Sequence, residues 1–152
     1  GLLRVYEAFG DKNDAEAVHE LSGKVYGTRR RRALQLALSL DANKVIVRKM
    51  LVSEDVATLR LAFVHGKASD AEKRAAAVKL LLNENSALRK IGVAWLAKVE
   101  KKKALERFLL DHAALGKKYF YNVVYWVDSV LYAPKEISLA ARKHLDEYLL
   151  EP

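Results

Sequence analysis

The residue types that carry out catalysis or bind metals are few in this sequence and widely spaced. The four histidines, His19, His65, His112 and His144, lie far apart, and no two of them are one helical turn from each other. The segment HELSG at His19 begins like a zinc-protease helix but lacks the second histidine of that motif. Cysteine is absent, which excludes disulfides and thiol chemistry. We therefore expect no metal, no cofactor and no enzymatic activity.

A second group with possible chemistry is the aromatic segment Lys117–Tyr132, KKYFYNVVYWVDSVLY, which holds six of the thirteen aromatic residues. Helical periodicity places half of its rings on two apolar faces, as in a helix buried between neighbours. A third stripe, at i, i+4, i+7 and i+11, comprises Tyr121, Tyr125, Asp128 and Tyr132. Asp128 would need burial to act as a general acid or base, and the common alternative is that it faces solvent. The tyrosines either lie at the rim of the domain or form a binding stripe beside Lys117 and Lys118.

Basic residues dominate the charge of the chain. Lys and Arg number 27 against 19 Asp and Glu, which gives a net charge of +8. Such an excess favours acidic partners, which are nucleic acid, an anionic membrane or an acidic protein, and the alternative is a solvated surface that is rich in lysine. The run Arg29–Arg32 stands at the start of a predicted helix, where the helix dipole disfavours cations. Because successive helical residues turn by about 100°, at most two of these arginines face any one partner.

Two similar segments indicate an internal repeat. RALQLALSLDANKVIVRKM begins at Arg32, and RAAAVKLLLNENSALRKIG begins at Arg74, 42 residues later; the aromatic segment follows one period on. Basic residues recur at equivalent positions of these segments. The first basic set comprises Arg31, Arg32, Lys73, Arg74, Lys117 and Lys118, and the second basic set comprises Arg48, Lys49, Arg89 and Lys90. In stacked repeats each basic set would line one surface and could follow a phosphate backbone. The alternative is that these basic residues simply occupy solvent-facing positions of the helices.

The elements that position these residues are predicted to be helices. Leu, Ala, Lys, Arg and Glu are abundant, and only two prolines and seven glycines interrupt the chain. We predict seven or eight helices from segments at 2–9, 13–22, 29–40, 44–52, 54–65, 70–83, 87–99, 101–115, 117–132 and 135–150, some of which fuse. The fold class is therefore all-α.

Several predicted helix ends carry local markers. Ser69 and Glu72 have the spacing of a capping box, and Asn13 and Glu16 have a related arrangement. Glycines are expected to end helices in the left-handed conformation, which has no steric cost for them. The glycines at such positions are Gly10, Gly23, Gly66 and Gly116.

The predicted helix at 87–99 shows how such a helix would be buried. Its continuous apolar face comprises Leu88, Ile91, Gly92, Trp95, Leu96 and Val99. Gly92 lowers the helix propensity by about 1 kcal/mol relative to Ala, and we expect the close approach of a neighbouring helix to offset this. Trp95 and Trp126 are both expected in the core.

A helix pair with a period of about 40 residues resembles the HEAT and armadillo repeats, and the resemblance is strongest over residues 28–132. It implies a short right-handed α-solenoid of antiparallel helix pairs, which we expect to form one domain over residues 1–152. No segment is apolar enough to predict a transmembrane helix. We expect a cytoplasmic protein without membrane contact. Because the sequence does not begin with Met, we also expect it to be a piece of a longer protein.

Three functions are compatible with these patterns. The first is a non-catalytic interaction or scaffold module that binds a protein partner, as HEAT-like repeats commonly do. The second is nucleic-acid binding through the two basic sets, with the tyrosines stacking on bases. In helical-repeat build and basic surface the chain is similar to the HEAT-like alkylpurine DNA glycosylases, but their Trp and Asp lie one helical turn apart, whereas Trp126 and Asp128 are two residues apart. The third is a structural array that spaces other domains.

Overall fold

The computed structural model describes residues 1–81 and 83–99, and every regular element in them is helical. The α-helices are α1 (Leu2–Phe9), α2 (Ala15–Ser22), α3 (Gly27–Leu40), α4 (Val45–Leu51), α5 (Val56–His65), α6 (Asp70–Leu81) and α7 (Ser86–Val99), and a 3-10 helix spans Lys12–Asp14. The all-α prediction is confirmed for these residues, with helix bounds close to the predicted ones. The predicted helices at 101–115, 117–132 and 135–150 lie outside the described residues.

The chain divides into two compact units, Gly1–Lys73 and Arg74–Pro152. In the first unit, α3 packs against α2 and α5, and α4 packs against α5. Fully buried apolar side chains from four of its helices form the core: Val18, Leu38, Ile46, Val47, Met50 and Leu59. Alanines with no exposed surface, Ala33 and Ala37 on α3 and Ala62 on α5, allow the helices to approach closely. Because α3 contacts both α2 and α5, it is the central helix of this unit.

Carboxylate and hydroxyl side chains cap the starts of the 3-10 helix, α5 and α6. The Ser69–Glu72 capping box is confirmed: the Ser69 N–H donates to Glu72 Oε2 over 2.9 Å, and the Glu72 N–H donates to Ser69 Oγ over 3.2 Å. The predicted pairing of Asn13 with Glu16 is wrong. The box in that region joins Asp11 to Asp14, since Asp11 begins the 3-10 helix that precedes α2.

Helices do end before Gly10 and Gly66, but for a different reason from the predicted one. Both glycines have extended rather than left-handed backbone, with φ of −65° and −69°. What requires glycine is space: a Cβ at Gly10 would lie 2.5 Å from the carbonyl oxygen of Tyr6, and one at Gly66 would collide with Val47 and with the carbonyl of Ala62. Each glycine therefore allows the backbone to leave the helix close to the carbonyl four residues earlier.

The apolar face of α7 is mostly buried, as predicted. Leu88, Ile91 and Leu96 are buried, whereas Trp95 is half-buried and Val99 is 51% exposed. The expected close approach at Gly92 is confirmed. A Cβ at that position would lie 2.6 Å from the carbonyl oxygen of Ala77 and 2.9 Å from Leu80 Cβ, both on α6.

The two similar sequence segments both form a helix, a turn and a second helix. In each turn a side-chain oxygen at the equivalent position accepts a backbone N–H: Asp41 Oδ2 accepts from Val47 over 2.8 Å, and Asn83 Oδ1 accepts from Asn85 over 2.8 Å. The second helices differ, because α4 has 7 residues and α7 has 14. The 42-residue register therefore predicts the position of the turn but not the length of the helix that follows it.

Candidate functional site

Three residues of the basic sets are held in ion pairs inside the first unit. Arg32 donates to both carboxylate oxygens of Glu7, over 3.0 and 2.7 Å. Arg48 Nε lies 2.8 Å from Glu72 Oε1, and Lys49 Nζ lies 2.7 Å from Glu16 Oε1. Each pair joins helices that are distant in sequence, so these cations have a structural partner.

Two of these pairs contain an acid whose pKa is lowered, Glu72 and Glu16. The Ser69 backbone N–H, followed by the Arg48 guanidinium, lowers the pKa of Glu72 to about 2. The hydrogen bond from Lys49 lowers the pKa of Glu16, and the same bond raises the pKa of Lys49. The carboxylates of Glu72 and Glu16 are therefore ionised at neutral pH, which reduces the positive potential that Arg48 and Lys49 present outward.

Two further residues of the basic sets are bonded to backbone carbonyls. Arg89 is 5% exposed, and its Nη1 donates to the carbonyls of Asn83 and Glu84 over 2.8 and 3.2 Å. Lys73 is half-buried, and its Nζ donates to the carbonyl of Phe63 over 3.0 Å. The side chains of Arg89 and Lys73 therefore bind backbone carbonyls of the protein itself. They are not free to bind a partner at an open surface.

The other residues of the basic sets that the structure describes are on the surface. Arg31, Arg74 and Lys90 are exposed. The remaining predicted binding residues lie outside the described residues: Lys117, Lys118, Tyr121, Tyr125, Asp128 and Tyr132.

Arg31 lies in a feature that the sequence did not reveal, an open cleft between α3 and α5. The cleft has a volume of about 580 Å³. Its apolar lining comprises Gly27, Leu34, Ala57, Leu61 and Val64, and its polar lining comprises Arg30, Arg31, Arg60 and His65. Leu34 and Leu61 are buried and form the floor, while Val64 is 67% exposed at the opening. A concave apolar surface with a few polar groups is the usual form of a ligand site.

Arg30, one of the residues that line this cleft, belongs to a bonded cluster at the start of α5. The Asp55 carboxylate accepts from the Thr58 N–H over 2.9 Å and from the Thr58 hydroxyl over 2.6 Å. Arg30 Nη2 lies 3.2 Å from that carboxylate and donates to Thr58 Oγ1. The Thr58 hydroxyl, then its backbone N–H and finally Arg30, lower the pKa of Asp55. The charge of Arg30 is thereby compensated inside the protein.

Arg31 and Arg60 differ from Arg30 in this respect. Both are exposed, and neither forms a hydrogen bond or ion pair with any residue in the described part of the chain. His65, at the far end of α5, lies with its Nε2 3.4 Å from Gln35 Nε2. The cleft therefore has one uncompensated cation on each of the two helices that form it.

Sequence reasoning did not identify Arg60 or His65 as site residues. The one available signal was that Arg60 is the single Lys or Arg in α5, among the apolar residues of VATLRLAFVH. That signal becomes informative only when α5 is known to pack against α3.

Comparison with protein-family models, with curated proteins and with solved structures gives no match to this chain. Its class is therefore defined by the structure alone, as an all-α protein over residues 1–81 and 83–99. Within the same residues, no three His, Asp or Glu side chains are grouped so that they could hold a metal ion. None of the described helices is both long and apolar enough to cross a membrane.

Proposed function

We propose that this chain is a non-catalytic helical binding module and that the cleft between α3 and α5 contacts a protein partner. The supporting observation is the shape and lining of the cleft. Leu34 and Leu61 form an apolar floor in an open depression, and Val64 exposes two thirds of its surface beside them. Protein interfaces derive most of their energy from such pockets, which are filled by an apolar or aromatic side chain of the partner.

A HEAT-like repeat, arranged as a right-handed solenoid, is the architecture that we propose for this module. The recurrence of a helix, a turn and a helix supports it, as do the side-chain acceptors Asp41 and Asn83 at equivalent turn positions. A single domain and a cytoplasmic location belong to the same proposal. They rest on the continuous repeat register and on the absence of cysteine.

Blocking the cleft tests the proposed function. Ala57 is exposed and lines the cleft, so Ala57→Trp would fill it without changing the charge or the core. Ala17→Trp, at an exposed position of α2, is the matched control. Short random peptides selected by display on the wild-type chain should lose binding to Ala57→Trp and keep binding to Ala17→Trp. Peptides that bind both variants equally would show that the cleft is not the site.

Nucleic-acid binding is the second candidate, and it is supported by the net charge of +8 and by the two uncompensated arginines of the cleft. The internal ion pairs of Arg32, Arg48 and Lys49 weigh against it, because a phosphate would have to replace a carboxylate that is already bonded. A salt titration with duplex and single-stranded DNA and RNA separates the candidates. Backbone binding weakens steeply as salt rises, by about one unit of logarithmic slope for each phosphate contact.

A further inference from the structure

We propose that the occupant of the α3–α5 cleft is an acidic peptide segment. It places an apolar side chain against Leu34, Leu61 and Val64, and its carboxylates pair with Arg31 and Arg60. This inference rests on the cleft being the protein-binding site proposed above. It adds the chemical class of the partner, which the apolar floor alone does not determine.

The first argument is the charge at the opening of the cleft. Asp55, the acid that pairs with the cleft residue Arg30, is already bonded to Thr58 and Arg30. Arg31 on α3 and Arg60 on α5 are left without an acid among the described residues. A guanidinium binds a carboxylate through two parallel hydrogen bonds, so two such groups select a ligand with negative charge.

The second argument is the lining between these arginines. The floor is aliphatic, so a fully charged strand would gain nothing from covering it, whereas an apolar side chain would release water from both surfaces. No Phe, Tyr or Trp side chain lines the cleft, although sequence-tolerant binding of single-stranded nucleic acid depends mainly on such rings for base stacking. An apolar floor between two cations is complementary to a peptide in which Leu, Ile or Phe is flanked by Asp or Glu.

The arrangement also limits how much of a partner is recognised. A volume of about 580 Å³ lies within the range of small-ligand pockets and accommodates a few side chains rather than a folded surface. Recognition of a short segment is therefore expected, and affinity should depend on both the apolar anchor and its acidic neighbours.

Selection from a random peptide library tests the inference, with the full chain as target. Peptides retained by the wild-type chain should be rich in Asp and Glu next to a large apolar residue. Selection on an Arg31→Glu/Arg60→Glu variant should reverse this preference and enrich Lys and Arg beside the same type of anchor. Wild-type selections that yield neutral or basic peptides would overturn the inference.

Fluorescence anisotropy with one selected peptide gives the contribution of each arginine. Arg31→Glu and Arg60→Glu should each weaken binding about fivefold at low salt, with a smaller effect at high salt. Arg4→Glu is the matched control, because Arg4 is exposed on α1 and outside the cleft, and it should change affinity less than about twofold. Equal effects of all three substitutions would overturn the inference.

The outcomes also separate this inference from the proposed function. If Ala57→Trp abolishes peptide binding but the arginine substitutions do not affect it, the cleft remains a protein-binding site and its acidic specificity is wrong. If Ala57→Trp has no effect, both fail. An oligonucleotide that displaces the peptide and binds more tightly, with the same loss on Arg31→Glu, would overturn the acidic peptide in favour of nucleic acid.

Discussion

Arg32 and Glu7 form a two-pronged ion pair, with Arg32 Nε 3.0 Å from Glu7 Oε1 and Nη2 2.7 Å from Oε2. The pair connects α3 to α1, the helix that exposes Leu2, Val5 and Phe9 to solvent and buries only Leu3. Because α1 buries so little apolar surface, we expect this ion pair to help hold it against α3.

The first prediction concerns that pair. Arg32→Ala should lower the free energy of unfolding by about 0.5–1 kcal/mol, since the side chains are 47% and 29% exposed and solvent screens their attraction. A double-mutant cycle with Glu7→Gln, measured by urea denaturation, should give a coupling energy of similar size. Arg29→Ala is the control, because Arg29 is exposed and its side chain makes no hydrogen bond or ion pair within the described residues. Zero coupling would mean that the pair does not hold α1.

The second prediction compares two glycines in helical backbone. Gly92→Ala should destabilise the protein by about 1–3 kcal/mol, because the new methyl would collide with the Ala77 carbonyl and with Leu80 Cβ. Gly23→Ala should be neutral or stabilising by up to about 1 kcal/mol, because Gly23 has φ −73° and ψ −14° and its nearest atom would lie 3.4 Å away. Thermal unfolding followed by circular dichroism checks both. A stabilising Gly92→Ala would contradict the close approach of α6 and α7.

The third prediction is a pH dependence at the start of α6. The pKa of Glu72 is about 2 in the folded protein against 4.5 for the free side chain, so its ionised form stabilises the folded state. That contribution is fully present above about pH 4.5 and is lost as pH falls toward about 2. Glu72→Gln keeps the capping-box geometry but removes the charge. It should therefore be less stable than the wild type at neutral pH and equally stable near pH 2.

Urea denaturation across that pH range gives the comparison for Glu72. The part of the effect that comes from Arg48 should shrink in high salt, while the part that comes from the Ser69 backbone N–H should persist. A stability difference that stays constant with pH would show that the charge of Glu72 has no role.

The fourth prediction concerns His19 on α2. Burial, followed by the charge of Lys49, lowers the pKa of His19 below 6.5, although Glu16 and other nearby acids oppose this. The unfolded chain therefore takes up a proton at a higher pH than the folded one. His19 contributes stability that is present above pH 6.5 and is lost as pH falls through its folded pKa. His19→Gln and His19→Asn should both flatten this loss between about pH 7.5 and 5.5, measured by urea denaturation.

An NMR titration of the His19 ring provides the direct measurement. A midpoint at or above 6.5 would contradict the burial of the ring and would remove the basis of the stability prediction. Two neutral replacements are used so that a packing change specific to one of them is not mistaken for a titration effect.

Local patterns in the sequence predict the helices well, because periodicity and capping depend on residues within a few turns of each other. The segment predicted at 29–40 is helical over Gly27–Leu40, and Ser69 and Glu72 cap α6 as their spacing indicates. Even the close approach at Gly92 follows from one residue with poor helix propensity in an apolar face.

Contacts between distant residues are what the sequence does not reveal. Arg48 and Arg89 occupy equivalent repeat positions, yet Arg48 is exposed and pairs with Glu72, whereas Arg89 is buried against two carbonyls. Which acid meets which base depends on how helices pack, and no local rule encodes this. Arg60 illustrates the same point, because it faces a cleft only through the packing of α5 on α3.

The Arg29–Arg32 run has a consequence for the evolution of this sequence. Arg30 is matched to Asp55 and Arg32 to Glu7, while Arg31 lines the cleft and Arg29 has no partner in the described chain. Three of the four adjacent arginines thus have different structural roles, and we expect a different constraint on each of these three positions. Among homologues, position 32 should covary with position 7 and position 30 with position 55, whereas position 29 should drift. In an alignment of homologues, the columns of the Arg29–Arg32 run should therefore show unrelated substitution patterns.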